Sequence, residues 1–465
     1  MVDLHKNTIF AAKIVLDMIE KICITNYLSI KEKLEFSFVS SREKEKFDGK
    51  TTWYEQCGDK KISKLLFVLG NNAAGKTNFI NAVRTMRALV ISKPAERDES
   101  LEYMPFMLDN ESRHKPTTFD VVFYTDDTRY LYSITYDESV IHEESLKVSR
   151  KTREIPIYIR SYDRNRGLSI VDVKPESGLS VADRIDLQRQ TTSNTSVLAS
   201  FWAMNLNSQP LRDGYLFFRD KVGMNLAQDE NLADILSKGT KMEQKRLKND
   251  LLMFLSLIKS NITDYIITEH RWKSPRPISA RIGRIEIGDV PPDMFVMEEK
   301  VIRTITFYHL TESGEYPLDE QLESDGTLAL IRLIAMTQTL INRGMTVFLD
   351  EQPAGIHEQA LRYMISCYLR LSADCQLIVA GQDTSFLSYK KLRRDSIRIF
   401  KKDDDGNTYL YRDAENRLFM SNTNVRNFVF GNSDLFQVAD ETDIDALFKA
   451  LKEMSIRRKK QNKNE

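Results

Sequence analysis

From Met18 the chain alternates apolar and polar positions through MIEKICITNYLSI and again through KEKLEFSFVS. A period of two predicts two strands, joined near Ser29 to Lys33. Lys44 to Lys61 is charged, contains Gly49 and Gly58, and predicts a loop. KLLFVLG, ending at Gly70, is a short unbroken apolar run, the pattern of a strand covered on both faces. It gives way to NAVRTMRALVI, where apolar residues return at helical spacing. Phe119 to Tyr124, Tyr130 to Tyr136 and Glu144 to Ser149 predict antiparallel strands.

Ser180 to His270 lacks that alternation, and within it KMEQKRLKNDLLMFLSLIKS has the stripe of an amphipathic helix. The stretch predicts a helical insertion. Strands are expected again over Ala280 to Ile287 and Val301 to His309, and a helix over Thr327 to Asn342. MTVFLDE and QLIVAG predict two more buried strands, and IRIFKKDDDGNTYLYR a hairpin turning at Asp-Gly. Ile456 to Glu465 is a charged tail.

A chain of 465 residues suggests about two or three domain-like units. Lys+Arg and Asp+Glu both number 67, so no whole-molecule field draws in nucleic acid. Local basic stretches remain at Lys273 to Arg284 and in the tail, where a solvated face is the plainer reading. Cys23, Cys57, Cys367 and Cys375 have no zinc spacing and are expected to be reduced thiols. No apolar run approaches the ~18 residues of a membrane span, and the patch Thr8 to Ala12 is too short for a signal peptide. A cytoplasmic protein without a membrane partner is expected.

Gly70, Asn71, Asn72, Ala73, Ala74, Gly75, Lys76 and Thr77 spell GNNAAGKT, which fits GxxxxGK[ST] at every fixed position. The glycines let the backbone fold tightly and turn its N–H groups inward. Lys76 brings charge to the β and γ phosphates, and Thr77 offers a hydroxyl to Mg²⁺. A helix starting near Lys76 and continuing through Asn78 adds its N-terminal dipole. ATP and Mg²⁺ are therefore the expected cofactors. A strand before the motif and a helix after it supply the required context.

TVFLDE is an apolar strand ending in two acids. Asp350 is expected to reach Mg²⁺, through water, and Glu351 to polarise the attacking water. More than half the chain lies between Lys76 and Asp350, so a second structural layer is inserted between the halves of the nucleotide core. Just before this strand, LESDGTLALIRLIAM places Ser324, Asp325, Gly326 and Thr327 at the start of a helix. Alone, this is a capped helix. Beside a complete cradle, it is a second anion site, best placed to meet the γ-phosphate held by another copy of the chain.

With these motifs in view, ESDGT resembles the signature turn of ABC-type ATPases, and the set resembles the AAA-type/OLD-like ATP-binding proteins of bacterial phage defence, near RecF and SMC. NYLSI (Asn26 to Ile30) is similar to their NFRS segment. PFMLDNES with FDVVFY and YLYSITY is similar to the stretch after the P-loop in AbiL/RloA-type and PARIS-type ATPases. DEQPAGIHEQALRYMI is similar to their DE-x-x-x-x-LHP-x-L segment. The resemblance implies an α/β ABC/SMC-type P-loop head with an antiparallel β layer and a helical insertion, and it puts Gly355 and His357 in a loop crossing a dimer interface. Three positions depart from the pattern: Leu28 replaces the NFRS arginine, Glu358 the LHP proline, and Gln382 the switch histidine. Glutamine donates a hydrogen bond but carries no charge, so slow hydrolysis is expected, with Lys76, Glu351 and Gln382 as the catalytic set.

The implied organisation is 1–178 for the N-terminal half of the ATPase core, 179–275 for the helical insertion, 276–420 for the C-terminal half, and 421–465 for a helical segment and charged tail. The stretch beyond Gln382 is too short for the Toprim nuclease of longer OLD proteins, and Asp403 to Asp405 reads as a hairpin turn rather than a metal site. The expected function is a regulatory ATPase of an antiphage, abortive-infection type system. It would pair with a second copy around ATP and control a separately encoded effector, nuclease or toxin. Further contact with a phage protein or nucleic acid is left open. The alternative is a RecF/SMC-like DNA-repair ATPase that binds DNA; neutral charge and the lack of a long heptad repeat weigh against it. A stand-alone nuclease lacks its metal carboxylates.

Overall fold

The computed structural model describes residues 16–40, 52–97, 99–150, 153–224, 231–277, 295–350, 358–381 and 392–411. In chain order these form β1 (Met18–Thr25), β2 (Leu34–Ser37), β3 (Tyr54–Cys57), β4 (Lys60–Ser63), β5 (Leu65–Leu69), α1 (Lys76–Ile91), β6 (Thr117–Thr125), β7 (Thr128–Tyr136), β8 (Ile141–Arg150), β9 (Arg153–Asp163) and β10 (Leu168–Val173). Then come α2 (Val181–Gln190), α3 (Val197–Trp202), α4 (Gln209–Leu216), β11 (Val222–Met224), α5 (Leu232–Leu236), α6 (Lys241–Leu257), β12 (Ile262–Pro277), β13 (Phe295–Thr311) and β14 (Gly314–Asp319). The rest is α7 (Asp325–Arg343), β15 (Thr346–Asp350), α8 (Glu358–Leu371), β16 (Gln376–Ala380), β17 (Ile397–Lys402) and β18 (Thr408–Leu410).

The chain divides into two compact units. One comprises Met1–Val222, Phe348–Gln352 and Gln376–Glu465; the other comprises Gly223–Val347 and Pro353–Cys375. The first unit carries an antiparallel sheet in the order β10-β9-β8-β7-β6-β1-β2. The nucleotide-core sheet is ordered β11-β15-β16-β5-β17-β18, with β16 and β17 both parallel to β5. All five residues of β5 and of β16 are buried, as their unbroken apolar runs require. Helix α1 is held between the layers by aromatic packing. Phe79 of α1 stacks on Phe36 of β2 at 4.6 Å and lies 5.5 Å from Phe400 and 6.0 Å from Phe348. Gln376, at the start of β16, ties the two sheets through their backbones: its Oε1 accepts from Ile19 N at 2.7 Å and its Nε2 donates to Ile19 O at 3.0 Å. An α/β core sheet and an antiparallel layer are both present, as the sequence leads one to expect.

Glu20, on β1, is buried beneath two cations. Burial pushes its carboxyl pKa up, but hydrogen bonds from Arg129 and Lys60 outweigh that and hold it at about 2.

In the second unit β12, β13 and β14 form an antiparallel sheet accompanied by α5 to α8. Helix α6 begins with a reciprocal capping box between Thr240 and Glu243. Helix α7 ends at Gly344, whose φ of 55° is left-handed.

Two expectations need correction. The second half of the expected Lys44 to Lys61 loop is the β3–β4 hairpin, which pairs Cys57 with Lys60 across a turn at Gly58. Its strands are four residues each, and their exposed charged positions hide the alternation. The expected helical insertion to residue 275 ends earlier, because the chain is strand from Ile262. ITDYIIT is rich in β-branched residues, and pairing with the distant β13 selects the extended form. The expected strand at Ala280 to Ile287 and the C-terminal segment 421–465 lie outside the described residues. No helix among the described residues is long and apolar enough to cross a membrane.

Candidate nucleotide site

The buried strand β5 delivers the chain into the glycine loop, and α1 leaves it at Lys76. Two glycines have no substitute here. A Cβ on Gly70 would stand 2.6 Å from Phe400 O, and one on Gly75 would stand 2.2 Å from Thr408 Oγ1. Gly75 also has φ +97°, a backbone that side chains rarely adopt. Ala73 shares the left-handed region at φ 63°, so the loop curls on itself. Lys76 is buried, and its ammonium donates to Gly70 O at 2.7 Å and Asn71 O at 2.9 Å. Asn72 and Thr77 are exposed, Asn71 and Asn78 are half-buried, and Ala74 is buried. The loop thus leaves Asn72, Ala73 and Thr77 at the surface while its two glycines are buried.

A second set of residues braces the loop from behind. Thr408 Oγ1, on β18, donates to Ala74 O at 3.1 Å and lies 2.8 Å from Ser29 Oγ. Ser29 Oγ in turn accepts from Asn78 Nδ2 at 2.7 Å, and Thr408 N donates to Ser29 O at 2.6 Å. Asn407 Oδ1 accepts from Lys31 N at 2.9 Å, fastening the β17–β18 hairpin to the NYLSI segment. That segment is itself anchored: Tyr27 is buried against α1, 2.9 Å from Thr85 Oγ1, and burial pushes its phenol up to about 12. Asn26 and Leu28 are left-handed, at φ 54° and 47°. Sequence reasoning singled out NYLSI by resemblance but missed Thr408. Nothing in a hairpin after an Asp-Gly turn points to a phosphate loop more than three hundred residues upstream. Asp403 to Asp405 falls in that hairpin's turn, where Gly406 N donates to Asp403 O at 3.0 Å.

Thr408→Val keeps the shape and removes the hydroxyl. It is expected to weaken ATP binding about tenfold, the effect of roughly one net hydrogen bond. Titration with a fluorescent ATP analogue measures this; parental affinity would show that the brace does not shape the loop.

Asp350 ends β15, half-buried, and β16 separates this strand from β5 in the sheet. Glu351, Gly355, His357 and Gln382 lie outside the described residues. In the second unit Ser324 caps α7, its Oγ accepting from Thr327 N at 3.1 Å and lying 2.7 Å from Thr327 Oγ1. Ser324 and Asp325 are exposed, and Gly326 and Thr327 are half-covered.

A buried strand, a glycine loop closed over a buried lysine, and a second strand ending in an acid are the parts of a P-loop nucleotide-binding core. Residues 65–190 match the family described as "AAA domain, putative AbiEii toxin, Type IV TA system". No curated protein matches the chain. Among solved structures it is similar to an SmcHead bound to the C-winged helix domain of ScpA, at 12% identity and TM-score 0.38, covering 86% of this chain and 99% of that one. It is also similar to the SMC head domain from Thermotoga maritima, at 11% identity and TM-score 0.37, covering 85% and 98%. A third is the Smc head domain with an extended coiled coil bound to the C-terminal domain of ScpA, derived from Pyrococcus furiosus, at 12% identity and TM-score 0.38, covering 85% and 96%.

Proposed function

We propose that this chain is the regulatory ATPase of an antiphage system, closing as a pair around ATP and thereby holding or releasing a separately encoded effector. Gly70 to Asn78 take the triphosphate, with Thr77 and Asp350 holding Mg²⁺ and Glu351 polarising the attacking water. Ser324, Asp325, Gly326 and Thr327 of the second copy then complete the site at the γ-phosphate, with Gly355 and His357 beside that interface. Gln382, standing where the resemblance has histidine, makes hydrolysis slow, which suits a protein that waits in its ATP-bound state.

The observation that carries this reading is the capped turn before α7, which leaves Ser324 and Asp325 exposed at the start of a 19-residue helix. The family matched over 65–190 is described in terms of a toxin and a type IV TA system, which supports placing the chain in a toxin-bearing system. The experiment is sizing of a Glu351→Gln variant with and without ATP and Mg²⁺. A doubling of mass with ATP is expected; identical profiles would rule out closure.

A further inference from the structure

Strand β13 carries His309 opposite Tyr316 of β14 and Ile262 of β12. Its imidazole is only 15% exposed and lies between two oxygens: Nδ1 is 3.0 Å from Asn261 Oδ1, and Nε2 is 2.5 Å from Glu323 Oε1. The Glu323 side chain is 6% exposed, and this residue immediately precedes Ser324, the cap of α7. The same corner is fixed in the backbone by Leu310 N donating to Asn261 O at 2.8 Å. The neighbouring pair, Glu320 with Arg332 at 3.8 Å, engages a different carboxylate. His309 Nε2 and Glu323 Oε1 are buried and face each other at close range without the alignment of a hydrogen bond. A carboxylate buried this deeply calls for a donor or a cation, and the imidazole is the group that faces it.

We infer that His309 is a positioning residue for the turn before α7: by holding Glu323 it sets where Ser324 and the first N–H groups of the helix stand. The consequence for ATP-driven pairing rests on the reading that this turn completes the site of a second copy. His309 also makes the turn answer to the β12–β13–β14 sheet, because the strand that supplies the ring is that sheet's central one. Nothing in its sequence context marks it; the contact joins residues fourteen positions apart through β14.

The test compares His309→Ala, His309→Gln and the parent, all as full chains. Hydrogen exchange is read over Glu323 to Leu328 without nucleotide, and ATP-dependent pairing is read in the Glu351→Gln background. His309→Ala is expected to speed exchange at the turn, leave α1 unchanged and weaken pairing, each by about tenfold, the effect of taking from a buried carboxylate the group that faces it. His309→Gln, which still offers an N–H to Glu323, is expected to recover most of both. Affinity for a fluorescent ATP analogue at low protein concentration should not move, since Lys76 and its loop are untouched. Parental exchange in His309→Ala overturns the inference, and so does faster exchange with undiminished pairing. If exchange at α1 rises as well, His309→Ala has disturbed the whole chain, and His309→Gln then decides: parental behaviour upholds the hold on Glu323, and a turn as loose as in the alanine variant overturns it. Should the parent itself fail to pair with ATP, the closure reading falls, while the exchange result still decides whether His309 holds the turn.

Discussion

Lys76→Ala is expected to lower ATP binding and hydrolysis at least about a hundredfold while leaving the fold in place. The ammonium is the one positive group inside the GNNAAGKT loop. It is buried and already turned onto the loop, on Gly70 O and Asn71 O. A preorganised charge aimed at phosphate oxygens needs no reorganisation when the nucleotide arrives, and removing such a group costs on the order of 10²–10³ in rate. The fold depends on Lys76 much less. The packing of α1 rests on Phe79, Val83 and Met86, which are buried, whereas the amine donates to two carbonyls of its own loop. Losing them costs about 1 kcal/mol. Phosphate release and nucleotide titration measure the first effect, and thermal unfolding without nucleotide the second. Hydrolysis at the parental rate would remove the loop from the chemistry. A large drop in melting temperature would mean that Lys76 had been holding the layers together.

The contrast between Lys76 and Thr408 shows where sequence reasoning has reach. The strand, loop and helix around Lys76 are contiguous, and each is dictated by local chemistry: an unbroken apolar run, two glycines, then helical spacing. Such signals survive in a single sequence. The β1–β2 pairing and the β6–β7–β8 meander were legible for the same reason, since alternation is local. Long-range juxtaposition leaves no such trace. Thr408 reaches Ala74, and Gln376 reaches Ile19, only because strands from opposite ends of the chain become neighbours in space. The start of β12 at Ile262 failed similarly, because its extended form is fixed by a partner strand more than thirty residues away. The expectations at Glu351, Gly355, His357 and Gln382 fall outside the described residues and rest on the sequence alone.

The second large effect is one of stability. Arg160→Met is expected to destabilise the unit that carries the nucleotide loop by about 3–5 kcal/mol, because it strips the counter-charge from a buried carboxylate. Arg160 and Glu144 are both fully buried in the antiparallel layer, with Nη1 3.3 Å from Glu144 Oε2. The guanidinium also donates to Thr195 O at 2.6 Å, Ser193 O at 2.7 Å, Ser169 Oγ at 2.8 Å and Thr192 O at 2.9 Å. Glu144 accepts from Tyr158 at 2.7 Å, Tyr132 at 3.1 Å and Val197 N at 2.9 Å. Burial, and then the carboxylate beside them, push both phenols well above their ordinary range, so they remain donors. The network fixes the start of α3, and from there the effect reaches the nucleotide helix, since Ser196 Oγ donates to Val90 O near the end of α1 at 2.8 Å. A loss of that size corresponds to a melting temperature lower by roughly 6–20 °C for a domain of this scale. Adding Glu144→Gln to Arg160→Met removes the stranded charge, so the double variant is expected to be more stable than Arg160→Met alone. Thermal unfolding of the parent, the two single variants and the double variant measures the coupling. Strictly additive losses would mean that Arg160 acts through its carbonyl contacts, and that its charge does not stabilise Glu144.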